Sequence, residues 1–291
     1  MLDLPYYHVD VFSTRALRGN GLVVVLEADK LSTALMQAVT REMRQFESTF
    51  VMALDLAGRS AVLRIFTEDE ELDFAGHPVL GTAAVLHAAL PEAGAEQRWA
   101  LTVAGRTLDV RTMSGPGHIV ASMDQGMPVF GDPISGDLLA AYLGALGLRP
   151  AQLHRHLPVQ VVSTGLPYLI VPVTPAGLDR ARIDEPDFES LLALSGAKFV
   201  YVLEPDAPEG RTWDNAGRVE DIATGSAAGP AFGYLVRHGR FHPGPDRERI
   251  HQGRFVGRPS EIEVGLDQEG RIWVGGPVAP VAAGRFRADV G

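Results

Sequence analysis

Apolar and polar positions alternate along residues 6–12 (YYHVDVF), the mark of a half-buried strand. Residues 17–21 read as a turn, and the unbroken apolar run 22–26 predicts a strand covered on both faces. Ser32 offers an N-cap to a helix with apolar residues at Leu35, Met36, Val39 and Met43, ending near Gln45. A β-rich strand starts over 46–51 and another covers 61–67. The Ala- and Leu-rich run 82–90 predicts a second helix, followed by a loop over 91–97. Residues 99–103, 106–112 and 118–123 read as antiparallel strands joined by glycine-containing turns. The Gly- and Pro-rich stretch 126–133 reads as a linker.

A helix over 135–146 opens the second half. Strands follow at 159–163 and 168–173, a short helix at 188–195, a strand at 199–203 and a helical run at 231–238. Residues 241–254 read as a loop carrying His242 and His251, which lack a compact metal spacing and are taken as solvated. Late strands are expected at 261–264, 271–274 and 279–287, the last crossing back to the first half. The expected organisation is therefore two domains, 1–126 and 127–278, with a closing segment 279–291.

Two stretches carry the candidate chemistry. Asp73 to Thr82 (DFAGHPVLGT) joins a strand to a helix through Gly76, and Glu220 to Ala228 (EDIATGSAA) does the same through Gly225. Arg64-Ile65-Phe66 ahead of the first is echoed by Arg211-Thr212-Trp213 ahead of the second, which suggests a duplicated unit. A glycine at such a junction bares the first backbone N–H groups of the helix, where the dipole favours an anion. His77 and Ser226 follow the two glycines, and Asp221 lies close enough in sequence to share a cleft with Ser226. Two such helix ends facing one cleft would hold a small anionic ligand. Glu47, at the entry to an apolar strand, is a further carboxylate; an isolated glutamate there is ordinarily a solvated strand end. With a histidine and a second carboxylate it becomes a candidate for acid–base work.

Composition narrows the classes. Hydrophobic content of 46% fits a globular protein, and no apolar run approaches the ~20 residues of a membrane span. The first ten residues lack the features of a secretory signal. A formal charge of −10 argues against nucleic acid or an anionic membrane surface as partner, though helix ends can still attract an anionic small molecule. With no cysteine, disulfides, thiolate metal sites and thiol nucleophiles are all removed, and a cytoplasmic protein is the natural expectation. A nucleophile-elbow serine, a P-loop, a dinucleotide fingerprint and a zinc-protease motif are all missing from the sequence, and no cofactor or metal is expected.

Six pieces in order resemble the PhzF family, named for the phenazine-biosynthesis isomerase. They are Val9-Asp10-Val11-Phe12 with Gly19-Asn20, and Arg41-Glu42-Met43 leading to Glu47-Ser48-Thr49-Phe50-Val51. Then come Phe66-Thr67 with Glu71 to Pro78, Ser163 to Pro167, Glu220-Asp221 with Ala223 to Ala227, and Gln252-Gly253 with Gly257 to Ser260. The resemblance implies an α+β fold like that of diaminopimelate epimerase, with two pseudo-symmetric domains, each a curved, mainly antiparallel sheet round a central helix. Epimerases of that fold use two cysteines at the helix ends. Here those places look like His77 and Ser226, so a two-thiol mechanism is excluded.

The resemblance also implies cofactor-free isomerisation of trans-2,3-dihydro-3-hydroxyanthranilate or a similar small carboxylate in the interdomain cleft. Glu47 would shuttle the proton, His77 and Asp221 would orient substrate and tune Glu47, and Asn20, Gly76, Gly225 and Ser226 would bind its polar groups. Family members are commonly homodimers. Phe46, Gly21 and Ile222 depart from the family pattern, Phe46 directly beside the base. A one-base epimerase of an amino-acid-like substrate, or a non-catalytic binding protein that keeps the cleft, are the alternative readings.

Overall fold

A computed structural model describes residues 2–90, 95–241 and 247–288. The chain divides into two compact units, Met1–Asp124 with Gly275–Gly291, and Gln125–Val274.

In the first unit β1 (Leu2–Val11) pairs antiparallel with β2 (Asn20–Val25). Helix α1 (Thr33–Met43) starts at Ser32, whose hydroxyl accepts from the Leu35 N–H. It buries Met36 and Val39 against Val23, Val25, Phe50 and Phe66 on one sheet face. Burial of such side chains stabilises by ~1.5–3 kcal/mol each. The helix leads to β3 (Glu47–Asp55), which runs parallel to β2 with Leu22 opposite Glu47. Antiparallel β4 (Ser60–Phe66) and the short β5 (Glu71–Leu72) follow. Helix α2 (Gly76–Ala88) then crosses to β6 (Glu96–Val103), parallel to β4. Antiparallel β7 (Arg106–Gly115) and β8 (His118–Gly126) complete the run.

The second unit contains β9 (Val129–Ile134), α3 (Gly136–Ala145), β10 (Val159–Ser163), β11 (Pro167–Pro172), α4 (Pro175–Arg180) and α5 (Phe188–Ala193). It continues through β12 (Phe199–Glu204), β13 (Glu209–Arg211), α6 (Gly225–Arg237), β14 (Glu248–Gln252) and β15 (Ser260–Leu266). These strands lie side by side in chain order. The last strand, β16 (Ile272–Ala288), runs into the first unit. There it pairs with both β8 and β1, so that sheet closes round α2.

The two units share a pairing pattern. In the first, β1/β2, β3/β4 and β6/β7 are antiparallel while β2/β3 and β4/β6 are parallel. In the second, β10/β11, β12/β13 and β14/β15 are antiparallel while β11/β12 and β13/β14 are parallel. Each parallel step carries its helices, with α2 and α6 in the same place. The sequence echo is thus a repeat of topology.

Several elements differ from the sequence reading, each for a physical reason. Helices α2 and α6 begin at Gly76 and Gly225, a turn or more before the runs 82–90 and 231–238. Both are buried nearly all round, so the helical period of polar positions is missing. Small residues let α2 lie close to the sheet: a Cβ on Gly81 would come 2.5 Å from Leu22 Cδ2. The linker 126–133 is mostly strand, the end of β8 and most of β9; β9 lies at the sheet edge, where Pro133 is tolerated. The loop 241–254 contains β14, whose Ile250 is buried among charged neighbours, a pattern too polar to read as a strand. His251 is exposed on that strand, while His242 lies outside the described residues, as do 91–94 of the first expected loop. The late strands 271–274 and 279–287 are one strand, β16.

Candidate active site

In the first unit the chemistry gathers at the start of α2. Ala75, with no side chain able to cap, stands at the N-cap, and Gly76 and His77 are the first two helical residues. Glu47 is the first residue of β3 and Asn20 the first of β2, so two neighbouring parallel strands deliver them to one end of the sheet. His77 Nε2 lies 3.0 Å from Glu47 Oε2, and Asn20 Nδ2 lies 3.5 Å from His77 Nδ1.

Burial pushes the His77 imidazolium down to about 3, against a smaller opposing contribution from the Gly21 backbone. The ring is neutral at pH 7, so its close contact with Glu47 is not an ion pair. The approach of Nε2 to the carboxylate does not have hydrogen-bond geometry, and the donor and acceptor in the longer Asn20 contact follow the ring tautomer. Glu47 keeps 13% of its side-chain surface accessible, nearly twice that of His77 at 7%, and is the member of the pair that a ligand can reach. Phe46, next to it, is 40% exposed.

In the second unit the same end of α6 carries hydroxyls. Ser226 Oγ lies 2.8 Å from Tyr168 OH. Burial raises the Tyr168 phenol well above its ordinary range, so it stays protonated. Thr224 stands at the N-cap of α6, but its hydroxyl donates in a very short bond to Asp221 Oδ2 rather than capping the helix. The Gln125 amide donates to the Gly225 carbonyl and accepts from Thr164, fixing the first residue of the helix.

The equivalent strands make the contrast between the units explicit. Leu22 opposes Glu47 across β2/β3, and Tyr168 opposes Phe199 across β11/β12. Phe199 therefore stands at the position of Glu47, with its ring 5.6 Å from that of Tyr168. One unit places a carboxylate beside the second residue of its central helix, and the other places a phenol there.

The sequence-derived residues thus fall into two sets. Asn20, Glu47, Gly76 and His77 come together in the first unit. Asp221, Gly225 and Ser226 lie at the start of α6 in the second. Sequence reasoning missed Tyr168, Thr224, Gln252 and Gln125 as members of these networks. Thr224 and Gln252 stood inside quoted motifs, but only contact geometry gives them roles.

The arginine echo has a structural meaning. Arg64 forms a two-point bond to Glu71 at 2.7 and 2.5 Å, and Arg211 one to Glu220 at 2.9 and 2.6 Å. Hydrogen bonding to Arg64 holds Glu71 below its ordinary carboxylate range. Arg211 also donates to the Leu178 carbonyl and lies over the Trp213 and Phe255 rings. These pairs pin the strand before each central helix to the segment that leads into it. Glu71, the last of the four consecutive acidic residues 68–71, thus belongs to an ion pair.

A family model described as phenazine biosynthesis-like protein, PhzC-PhzF, matches residues 9–284. The chain belongs to this family. The trans-2,3-dihydro-3-hydroxyanthranilate isomerase of Pseudomonas aeruginosa is 35% identical, over 96% of this chain and 98% of its own. The uncharacterized isomerase YddE of Escherichia coli (strain K12) is 34% identical, over 89% of this chain and 88% of its own. Among solved structures, a predicted epimerase from Pseudomonas aeruginosa superposes with a TM-score of 0.90 at 45% identity, covering 98% of this chain and all of that one (100%). A hydroxyproline epimerase from Agrobacterium vitis superposes with a TM-score of 0.59 at 14% identity, over 98% of this chain and 92% of its own, a likeness of fold alone. The PhzC-PhzF chain accordingly has the α+β, diaminopimelate epimerase-like fold that its sequence led one to expect. No helix among its described residues is long and apolar enough to cross a membrane.

Proposed function

We propose that this protein is a cofactor-independent isomerase that moves a proton between two carbons of a small, carboxylate-bearing molecule, with Glu47 as the shuttle. The observation that carries the reading is the asymmetry of the two units: Glu47 lies 3.0 Å from His77 in one, and Phe199 holds the matching place in the other. A single base takes a proton from one carbon and returns it to a second carbon on the same face. Inversion at one carbon calls for a second base on the opposite face. Phe199, at the place that matches Glu47, is no base, and burial raises the Tyr168 phenol above its ordinary range.

In this reading Glu47 acts as the carboxylate in the first step and as the acid in the second. The neutral, buried His77 ring lies against one carboxylate oxygen and helps to hold Glu47 in place. Asn20 and Gly76 bind polar groups of the substrate in the first unit. Asp221, Gly225 and Ser226 do so in the second, Ser226 backed by Tyr168. The named activity of the P. aeruginosa relative supports trans-2,3-dihydro-3-hydroxyanthranilate as the first compound to test. A homodimer working in the cytoplasm completes the proposal.

The experiment is proton NMR in D2O with that compound. Migration of the double bond with uptake of solvent deuterium supports the isomerase. Inversion at one carbon without migration would instead favour the epimerase reading, which the description of the 45% identical structure keeps in play. Binding without exchange would leave a non-catalytic protein.

A further inference from the structure

We propose that Gln252 is a positioning residue which, acting through Thr224, holds the Asp221 carboxylate as a fixed hydrogen-bond acceptor. The inference rests on the reading of Asp221 as a substrate-orienting group. Gln252 is the last residue of β14 and only 1% exposed. Its amide has two N–H donors and two oxygen lone pairs, and all four are used. Nε2 donates to the Asp221 carbonyl at 3.0 Å and to Thr224 Oγ1 at 3.0 Å. Oε1 accepts from the Thr224 N–H at 3.2 Å and from Tyr201 OH at 3.2 Å.

The direction of every bond in this chain is determined. A backbone N–H can only donate, so the Gln252 atom facing Thr224 N must be the oxygen. The amide nitrogen must then face Thr224 Oγ1 and give it a proton. The threonine hydroxyl has one proton of its own, and the remaining neighbour on its path is Asp221 Oδ2, with which it makes its very short bond. Asp221 Oδ2 is thereby presented with a donor and held as an acceptor. A carboxylate placed in this way faces a substrate N–H or O–H as an acceptor.

Gly253 makes the latch close. Its φ is +87°, and a Cβ there would come 2.5 Å from the Ile222 carbonyl and 2.3 Å from that of Arg258. Only glycine lets β14 end this near the segment that carries Asp221. The pairing of Gln252 with Gly253 in the sequence thus has one purpose: the first sets the polarity of the network and the second its distance.

The test is a double-mutant cycle on turnover of trans-2,3-dihydro-3-hydroxyanthranilate, paired with a substrate-free readout. Thr224→Val should lower kcat/KM about tenfold in the wild-type background and leave it within about twofold in Asp221→Asn, because coupled residues are not additive. Thr224→Ser, which keeps the hydroxyl, should restore wild-type values. Equal losses in both backgrounds would mean a latch that is structural only, and would overturn the proposal.

Independently of any substrate, the Asp221 carboxyl carbon is followed by NMR at pH 7 in protein labelled with 13C at aspartate. Thr224→Val and Gln252→Glu should both move this resonance, the latter because a carboxylate draws the Thr224 proton away from Asp221. Thr224→Ser should leave it in place. A resonance unmoved in folded Thr224→Val contradicts the proposal. Should the compound not be turned over while the resonance responds as described, the substrate reading fails and the positioning role stands.

Discussion

Glu47 and Phe199 occupy the same place in two copies of one topology. Each is the first residue of a strand that runs parallel to its neighbour, opposite Leu22 in one unit and Tyr168 in the other. The repeat has kept the scaffold and divided the chemistry. A carboxylate in close contact with a neutral histidine sits beside one helix, and hydroxyls sit beside the other.

The neutral state of His77 has a consequence for stability. Unfolded, the ring titrates near its ordinary 6.5; folded, near 3. Between those values the unfolded chain binds more protons, so stability rises with pH across the window. The His77 contribution is fully present above 6.5 and is lost as pH falls toward 3. At pH 5 the loss is about 2 kcal/mol, at 1.36 kcal/mol per unit. Urea midpoints between pH 7.5 and 4.5 should fall faster for the wild type than for His77→Gln. Parallel curves would mean that the ring does not have to be buried neutral.

The two arginine pairs should differ in weight. Arg211 and Glu220 keep about a tenth of their side-chain surface, 9% and 10%, whereas Arg64 and Glu71 keep 26% and 39%. Glu220→Gln leaves a buried guanidinium short of its partner and should cost about 3–5 kcal/mol. Glu71→Gln should cost about 1 kcal/mol or less. Chemical denaturation of both variants measures the difference, and equal costs would remove the structural distinction drawn between them.

Tyr168→Phe removes the partner of Ser226 without changing the ring packing against Phe199. A lost hydrogen bond of this kind is worth roughly 1 kcal/mol. The expected result is a several-fold rise in KM with kcat within about twofold, because the phenol holds a binding group and moves no proton. A collapse of kcat would instead make Tyr168 part of the proton transfer.

Much of the fold was legible in the sequence because alternation and apolar runs mark strands such as β1 and β2 directly. The ends of α2 and α6 were not, since a helix buried on every side has no polar face to betray its start. Strand β14 was hidden by its charges, with Ile250 its one buried apolar residue. For the candidate site, the glycine turns and the run of motifs pointed to Glu47, His77, Asp221 and Ser226. The partners Tyr168 and Gln252 are distant in sequence from the groups they bond. Tyr168 lies 58 residues from Ser226, and Gln252 lies 28 from Thr224, so only the folded sheet brings them together.

Glu47→Gln is the variant on which the account turns. The amide preserves shape, so the melting temperature should stay within a few degrees, while turnover should fall by about 10²–10⁴-fold, the usual worth of a positioned acid–base group. The most direct measurement follows the hydrogen itself: substrate carrying deuterium at the carbon that loses its proton, converted in ordinary water by the wild-type protein and by Glu47→Gln. With one shuttling carboxylate, part of that deuterium should reappear at the receiving carbon, and the variant should form almost no product. Product formed at the wild-type rate by Glu47→Gln, or inversion at the labelled carbon without migration, would contradict the one-base mechanism.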